Sequence, residues 1–172
     1  MSDSSAVIAE GLWNEAVSQD SYPTKDEYQE HVLKQYEICV EMADRISARR
    51  SIANVFFLTL HTFIIGALGI AYMQNGAFLQ NWAVLFPLAS VLALCFLWWR
   101  LLKSYEQLNT AKYKVIGEFE KRLPASPYWS AEWKELGEGH NRKLYVPLTH
   151  VEQWVPKILA LVYVAGALLA IL

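Results

Sequence analysis

The chain has 172 residues, 54% of them hydrophobic, with 15 Lys and Arg against 17 Asp and Glu for a formal net charge of −2. That length holds one membrane domain and one modest soluble module, and excludes a separate large enzyme domain. The charge balance offers no basic footprint for nucleic acid, and two cysteines, Cys39 and Cys95, make neither a disulfide framework nor a metal set.

Residues 1–51 are polar and acidic, with ten carboxylates and five basic side chains. No basic start with an early apolar core is present, so a cleaved secretory signal is not expected. Pro23 precedes Thr24-Lys25-Asp26-Glu27, a capping-box pattern that predicts a helix start. From Lys25 to Met73 there is no proline, and no glycine before Gly66, so one helix is expected to run from this cytosolic segment into the first apolar stretch. Val32, Tyr36, Cys39, Ala43 and Ile46 follow a 4, 3 alternation, the seam of a helix lying on another helix.

Three stretches are apolar on all sides: Ile52–Met73, Trp82–Leu102 and Val155–Leu172. Each is 18 residues or more, enough at about 1.5 Å per residue to cross a hydrocarbon core of about 30 Å. An all-α protein with three transmembrane helices is predicted. The loop Gln74–Asn81 carries no charge, whereas Arg45, Arg49, Arg50, Arg100 and Lys103 flank the opposite ends. The positive-inside rule therefore predicts a cytoplasmic N-terminus, a cytoplasmic 103–154 segment and a periplasmic C-terminus. Trp82, Trp98, Trp99 and Trp154 are expected at the interfaces, with Lys157 reaching back to the cytoplasmic one.

Polar residues inside a span are costly and face protein or water. Arg50, Asn54 and His61 share one face of the first span, accompanied by Thr59 and Thr62. Two roles suit Arg50, Asn54, His61 and Thr62: lining a pore or proton path, or hydrogen-bonding between helices to hold the bundle. Gly66, Gly69, Ala160, Gly166 and Ala170 offer small faces for close helix contact.

Beyond the second span, Leu101, Tyr105, Leu108, Lys112, Val115, Phe119 and Arg122 repeat the 4, 3 spacing until Pro124 stops the helix. The first two helices are therefore expected to extend from the membrane as an antiparallel cytosolic hairpin. Residues 100–154, with nine basic and seven acidic side chains, complement the acidic N-terminal arm. Ser126 and Pro127 predict a new helix start, and Gly137 its end. Tyr128, Trp129 and Trp133 make this piece aromatic, destined for either the membrane surface or the side of the hairpin. Residues 137–148 read as a loop, Thr149-His150-Val151-Glu152 as a second capping box, and Pro156 as a kink.

Catalytic chemistry is not visible. His31, His140 and His150 are scattered without zinc spacing, Gly137-Glu138-Gly139 is no phosphate loop, and no cofactor is expected. The runs Tyr28–Tyr36 and Val40–Arg50, with the entry Ala53–Leu58, resemble the RipA-like family of small bacterial membrane proteins. That resemblance implies an octamer in the bacterial cytoplasmic membrane without a settled activity. The architecture is also similar to SLATT-type effectors of bacterial conflict systems. Two functions follow as expectations. One is a ring-like homo-oligomer forming a pore in stress or phage response. The other is a non-conducting scaffold whose cytosolic helices recruit a partner.

Overall fold

A computed structural model describes residues 2–74, 84–139, 141 and 143–171, with side-chain surroundings from residue 6 to 169. The uncharged Gln74–Asn81 loop beyond Gln74, Trp82, His140 and the side chain of Ala170 lie outside what it describes.

Among the described residues every regular element is helical, with turns and irregular segments between them. Helix α1 covers Ser2–Leu12, α2 Lys25–Gln74, α3 Leu85–Glu120, α4 Trp133–Glu135, α5 Leu148–Glu152 and α6 Trp154–Ile171. Three segments, Lys25–Gln74, Leu85–Glu120 and Leu148–Leu169, are long and apolar enough to cross a membrane. Their apolar windows are only 6%, 22% and 11% buried within the chain, so most of that surface is left for lipid or other chains. Helix α2 begins where the sequence predicts: the Thr24 hydroxyl accepts from the Glu27 amide at 3.2 Å. Helix α1 has no counterpart in the sequence reading.

The chain divides into two compact units, 1–47 with 107–146 and 48–106 with 147–172. In the first, α2 and α3 run antiparallel, tied by Arg122 donating to the Tyr28 hydroxyl and Tyr36 donating to Glu120. Val32, Ala43, Ile46, Ile116 and Phe119 are buried. Trp13, just after α1, sets its ring edge-on to Phe119 and receives the Arg122 guanidinium 3.4 Å from its centroid.

Glu120 is the hub of this unit. Only 2% exposed, its carboxylate accepts from the Ser126 hydroxyl at 2.6 Å, the Trp129 amide at 2.8 Å, the Tyr128 amide at 3.0 Å and the Tyr36 hydroxyl at 3.2 Å. An anion placed on the free amides of a helical start is favourable. Ser126 caps a start with Pro127 in the first turn, as predicted, but the turn Pro127–Glu132 is a π-helix. The Trp129 ring lies against Gly117, where an added Cβ would meet ring carbons at 2.6, 2.8 and 2.9 Å. The aromatic segment thus docks on the flank of α3. Gly137, at φ 70°, ends the following turn in the left-handed region that suits glycine.

In the second unit α2, α3 and α6 form a three-helix bundle. Val91, Cys95 and Tyr163 make its centre, with Ile64, Leu68, Leu88, Leu159 and Ala160 around them. Pro156 has no amide to offer the Glu152 carbonyl, and the helix divides between α5 and α6 at that point. The predicted capping box at Thr149 is absent. Pro147 occupies the cap without a side-chain bond, Thr149 lies inside α5, and Arg50 engages both Thr149 and Glu152.

Candidate functional site

Three turns of α2 carry a polar row into the bundle, and each member meets a partner from another helix. Arg50, at the charged end, lies 3.2 Å from Glu152 and donates to the Thr149 hydroxyl at 3.3 Å. The side chains of Arg50 and Glu152 are only 15% and 18% exposed, so this pair is held where breaking it is costly. Beside it on α3, Glu106 accepts from Gln153 at 2.6 Å and Lys103 at 2.9 Å, with His150 at 3.9 Å. Burial pushes the Glu106 carboxyl upward. The bonds from Lys103 and Gln153 and the charges of Lys103 and His150 outweigh it and hold the group below its ordinary value.

One turn deeper, the Asn54 carbonyl oxygen accepts from the Trp98 indole at 2.9 Å. Trp98 is a core residue rather than an interface anchor: it is 1% exposed and lies between Phe57 and His61, with ring centroids at 5.4 and 5.8 Å. Trp154, by contrast, is exposed, and the Lys157 ammonium sits 4.9 Å from its ring centroid.

His61 is the deepest member and is itself 1% exposed. Its Nδ1 lies 2.9 Å from the Tyr163 hydroxyl and its Nε2 3.8 Å from the Cys95 sulfur. A neutral imidazole has one donor and one acceptor nitrogen, and tyrosine and thiol can each give or take a proton. Either tautomer therefore gives each of the three groups a hydrogen bond, and no charge is needed. Among the described residues no group of three or more His, Cys, Asp or Glu is placed to hold a metal ion. The cluster ties the first membrane helix to the other two.

Thr62 lies elsewhere. It is exposed and its hydroxyl bonds back to the Leu58 carbonyl at 2.8 Å. Thr59, Thr62, Gly66 and Gly69 form one exposed row on α2, with open space where a Cβ would stand on either glycine.

The seam residues divide as well. On α2, Val32, Ala43 and Ile46 are buried, Tyr36 and Cys39 half-buried. Burial and then the Glu120 carboxylate push the Tyr36 phenol up to about 12. Burial raises the Cys39 thiol, against a downward pull from Lys112. On α3 the buried row is Val91, Cys95, Trp98 and Leu102, then Ile116 and Phe119. It runs mostly one residue beyond the row expected from spacing. Leu101, Tyr105, Lys112 and Val115 are half-buried, Arg122 is exposed, and Leu108 is 47% exposed. Only Phe119 belongs to both.

Sequence reasoning missed Tyr163, Trp98, Glu152, Glu120 and Gly117. Tyr163 had a signal: it is the one hydroxyl in Val155–Leu172.

Comparison with known proteins gives one family. The model of the octameric membrane protein family (8xMP) matches residues 33–172, most of the chain, and the chain belongs to that family. No curated protein and no solved structure matches it. The molecule is thus an all-α, multi-pass, self-associating membrane protein.

Proposed function

We propose that this member of the octameric membrane protein family is a non-conducting scaffold of the bacterial inner membrane, acting through assembly rather than catalysis. In this reading eight copies form a ring, and the unit built on Glu120 stands in the cytoplasm as a helical hairpin that recruits a partner. The N-terminus is cytoplasmic and the C-terminus periplasmic. The RipA-like resemblance is the finer assignment within the family.

One observation carries the choice of scaffold over pore. The polar groups that would line a path along the first span, Asn54 and His61, are each bonded inside a single chain. Copies meet, in this reading, along Thr59, Thr62, Gly66 and Gly69, where small residues let helices approach closely without lipid between them. A conducting ring is the second reading, favoured by the exposed hydroxyl-bearing residues Thr59 and Thr62, which would face the axis.

Ion flux separates the two. Purified assembly reconstituted into liposomes is expected to pass ions no faster than empty liposomes. Flux that Thr59→Val or Thr62→Val alters would establish the conducting ring and overturn the scaffold.

A further inference from the structure

The second unit carries a furrow between α2 and α3, lined by Arg49, Ile52, Ala53 and Phe56 with Phe57 on one wall and Leu101 and Tyr105 on the other. Its polarity is graded. On α2, Arg49 comes first, Ile52 and Ala53 one turn deeper, Phe56 and Phe57 another turn on. On antiparallel α3, Tyr105 comes before Leu101. The cation and the phenol therefore share one end, at the boundary where the apolar stretch begins, and only apolar side chains continue from there. Ile52 and Phe56 are largely exposed along it.

Arg49 differs from its basic neighbours. Arg45 is spent on Glu41 at 2.7 Å and Arg50 on Glu152 at 3.2 Å. Arg49 is exposed and makes no ion pair among the described residues. A charged head at a membrane boundary above an apolar trough matches a molecule with an anionic head and a hydrocarbon tail. A second copy's apolar helix would leave Arg49 without a counter-charge.

We propose that this furrow is a binding site for an anionic phospholipid. The phosphate lies against the Arg49 guanidinium, which can donate two parallel hydrogen bonds to it. An acyl chain runs past Ile52, Ala53 and Leu101 toward Phe56. Arg49 sets the preference for an anionic head, and the trough sets the position of the chain.

Native mass spectrometry of the detergent-purified assembly with added phosphatidylglycerol or phosphatidylcholine tests this. The parent should retain phosphatidylglycerol over phosphatidylcholine by about fivefold per site, the factor one basic residue supplies beside an anionic headgroup. Arg49→Gln should abolish that preference and Arg49→Lys should keep most of it. Ala53→Trp, which fills the trough, should remove both adducts while the oligomer keeps its mass. Arg100→Gln, an arginine outside the furrow, should change nothing. Equal retention of both lipids by the parent, an unchanged preference in Arg49→Gln, or equal losses in Arg49→Gln and Arg100→Gln would overturn the site. Loss of the oligomer in Ala53→Trp would assign the furrow to a second copy instead and overturn it as well.

Discussion

Removing the Glu120 carboxylate is the sharpest perturbation of the first unit. Glu120→Ala deprives four donors of their acceptor at once: the Tyr36 and Ser126 hydroxyls and the Tyr128 and Trp129 amides. The two hydroxyls can turn toward water, but the amides are fixed at the start of the π-helical turn. Hydrogen bonds to a charged group are worth about 1.5–3 kcal/mol each. Both residues are half-buried, so water replaces part of the loss, and the lower bound applies: about 3 kcal/mol for the pair. Local opening of Pro127–Glu132 should become easier by that amount, about 100-fold at 1.4 kcal/mol per tenfold. Hydrogen exchange followed by mass spectrometry reads this directly. Peptides covering Tyr128 and Trp129 should exchange about 100-fold faster, while peptides from Val91–Leu102 keep their parent rates. Parent rates at Tyr128 and Trp129 would refute the hub, and equal acceleration everywhere would show that Glu120 supports the whole chain rather than one segment.

Further outcomes follow from the same contacts. His61→Leu leaves the Tyr163 hydroxyl without a partner, and His61→Leu and Tyr163→Phe should each destabilise the protein by about 0.6–1.7 kcal/mol, the range for polar contacts between membrane helices; in a double-mutant cycle by thermal unfolding the two losses should not add, and full additivity would separate the residues. Gly66→Leu should dissociate the oligomer in size-exclusion chromatography with light scattering without changing helix content; an intact oligomer would move the contact off the Thr59–Gly69 face. The Tyr36 phenol is raised to about 12, so its neutral form is the one the fold favours. That contribution is complete below the ordinary tyrosine value near 10 and lost as pH rises through about 12. The difference in absorbance at 295 nm between parent and Tyr36→Phe should show a step near 12, and a step near 10 would contradict the contact with Glu120.

Local chemistry made much of the fold readable, and long-range pairing hid the rest. The three apolar helices follow from run length, the start of α2 from Thr24, and the start at Pro127 from Ser126, each decided within a few residues of itself. The partners of the polar row are far away in sequence: Arg50 finds Thr149, and His61 finds Tyr163. No periodicity carries that information. The row that α3 buries within the chain was hidden for a related reason. Leu101 and Leu102 both suit a seam, as do Val115 and Ile116, and an apolar pattern of adjacent equals cannot choose between faces. Trp98 and the docked Trp129 make the choice, through Asn54 in one unit and Gly117 in the other. Glu152 looked like half of a cap because the pattern Thr-x-x-Glu is short; a half-buried arginine outcompetes a backbone amide for both side chains.

The claim on which the scaffold reading rests is that the interior around His61 is dry in the assembled protein. Cys95 reports on it without an added probe residue, since its sulfur lies 3.8 Å from His61 Nε2. With Cys39 replaced by Ser, the assembly in liposomes can be exposed to a charged methanethiosulfonate reagent, which reacts with thiols that water reaches. Cys95 should remain unmodified until the protein is denatured, and then react once per chain. Modification of the native assembly at the rate of a thiol in water would place Cys95 and His61 on an aqueous path and contradict the account.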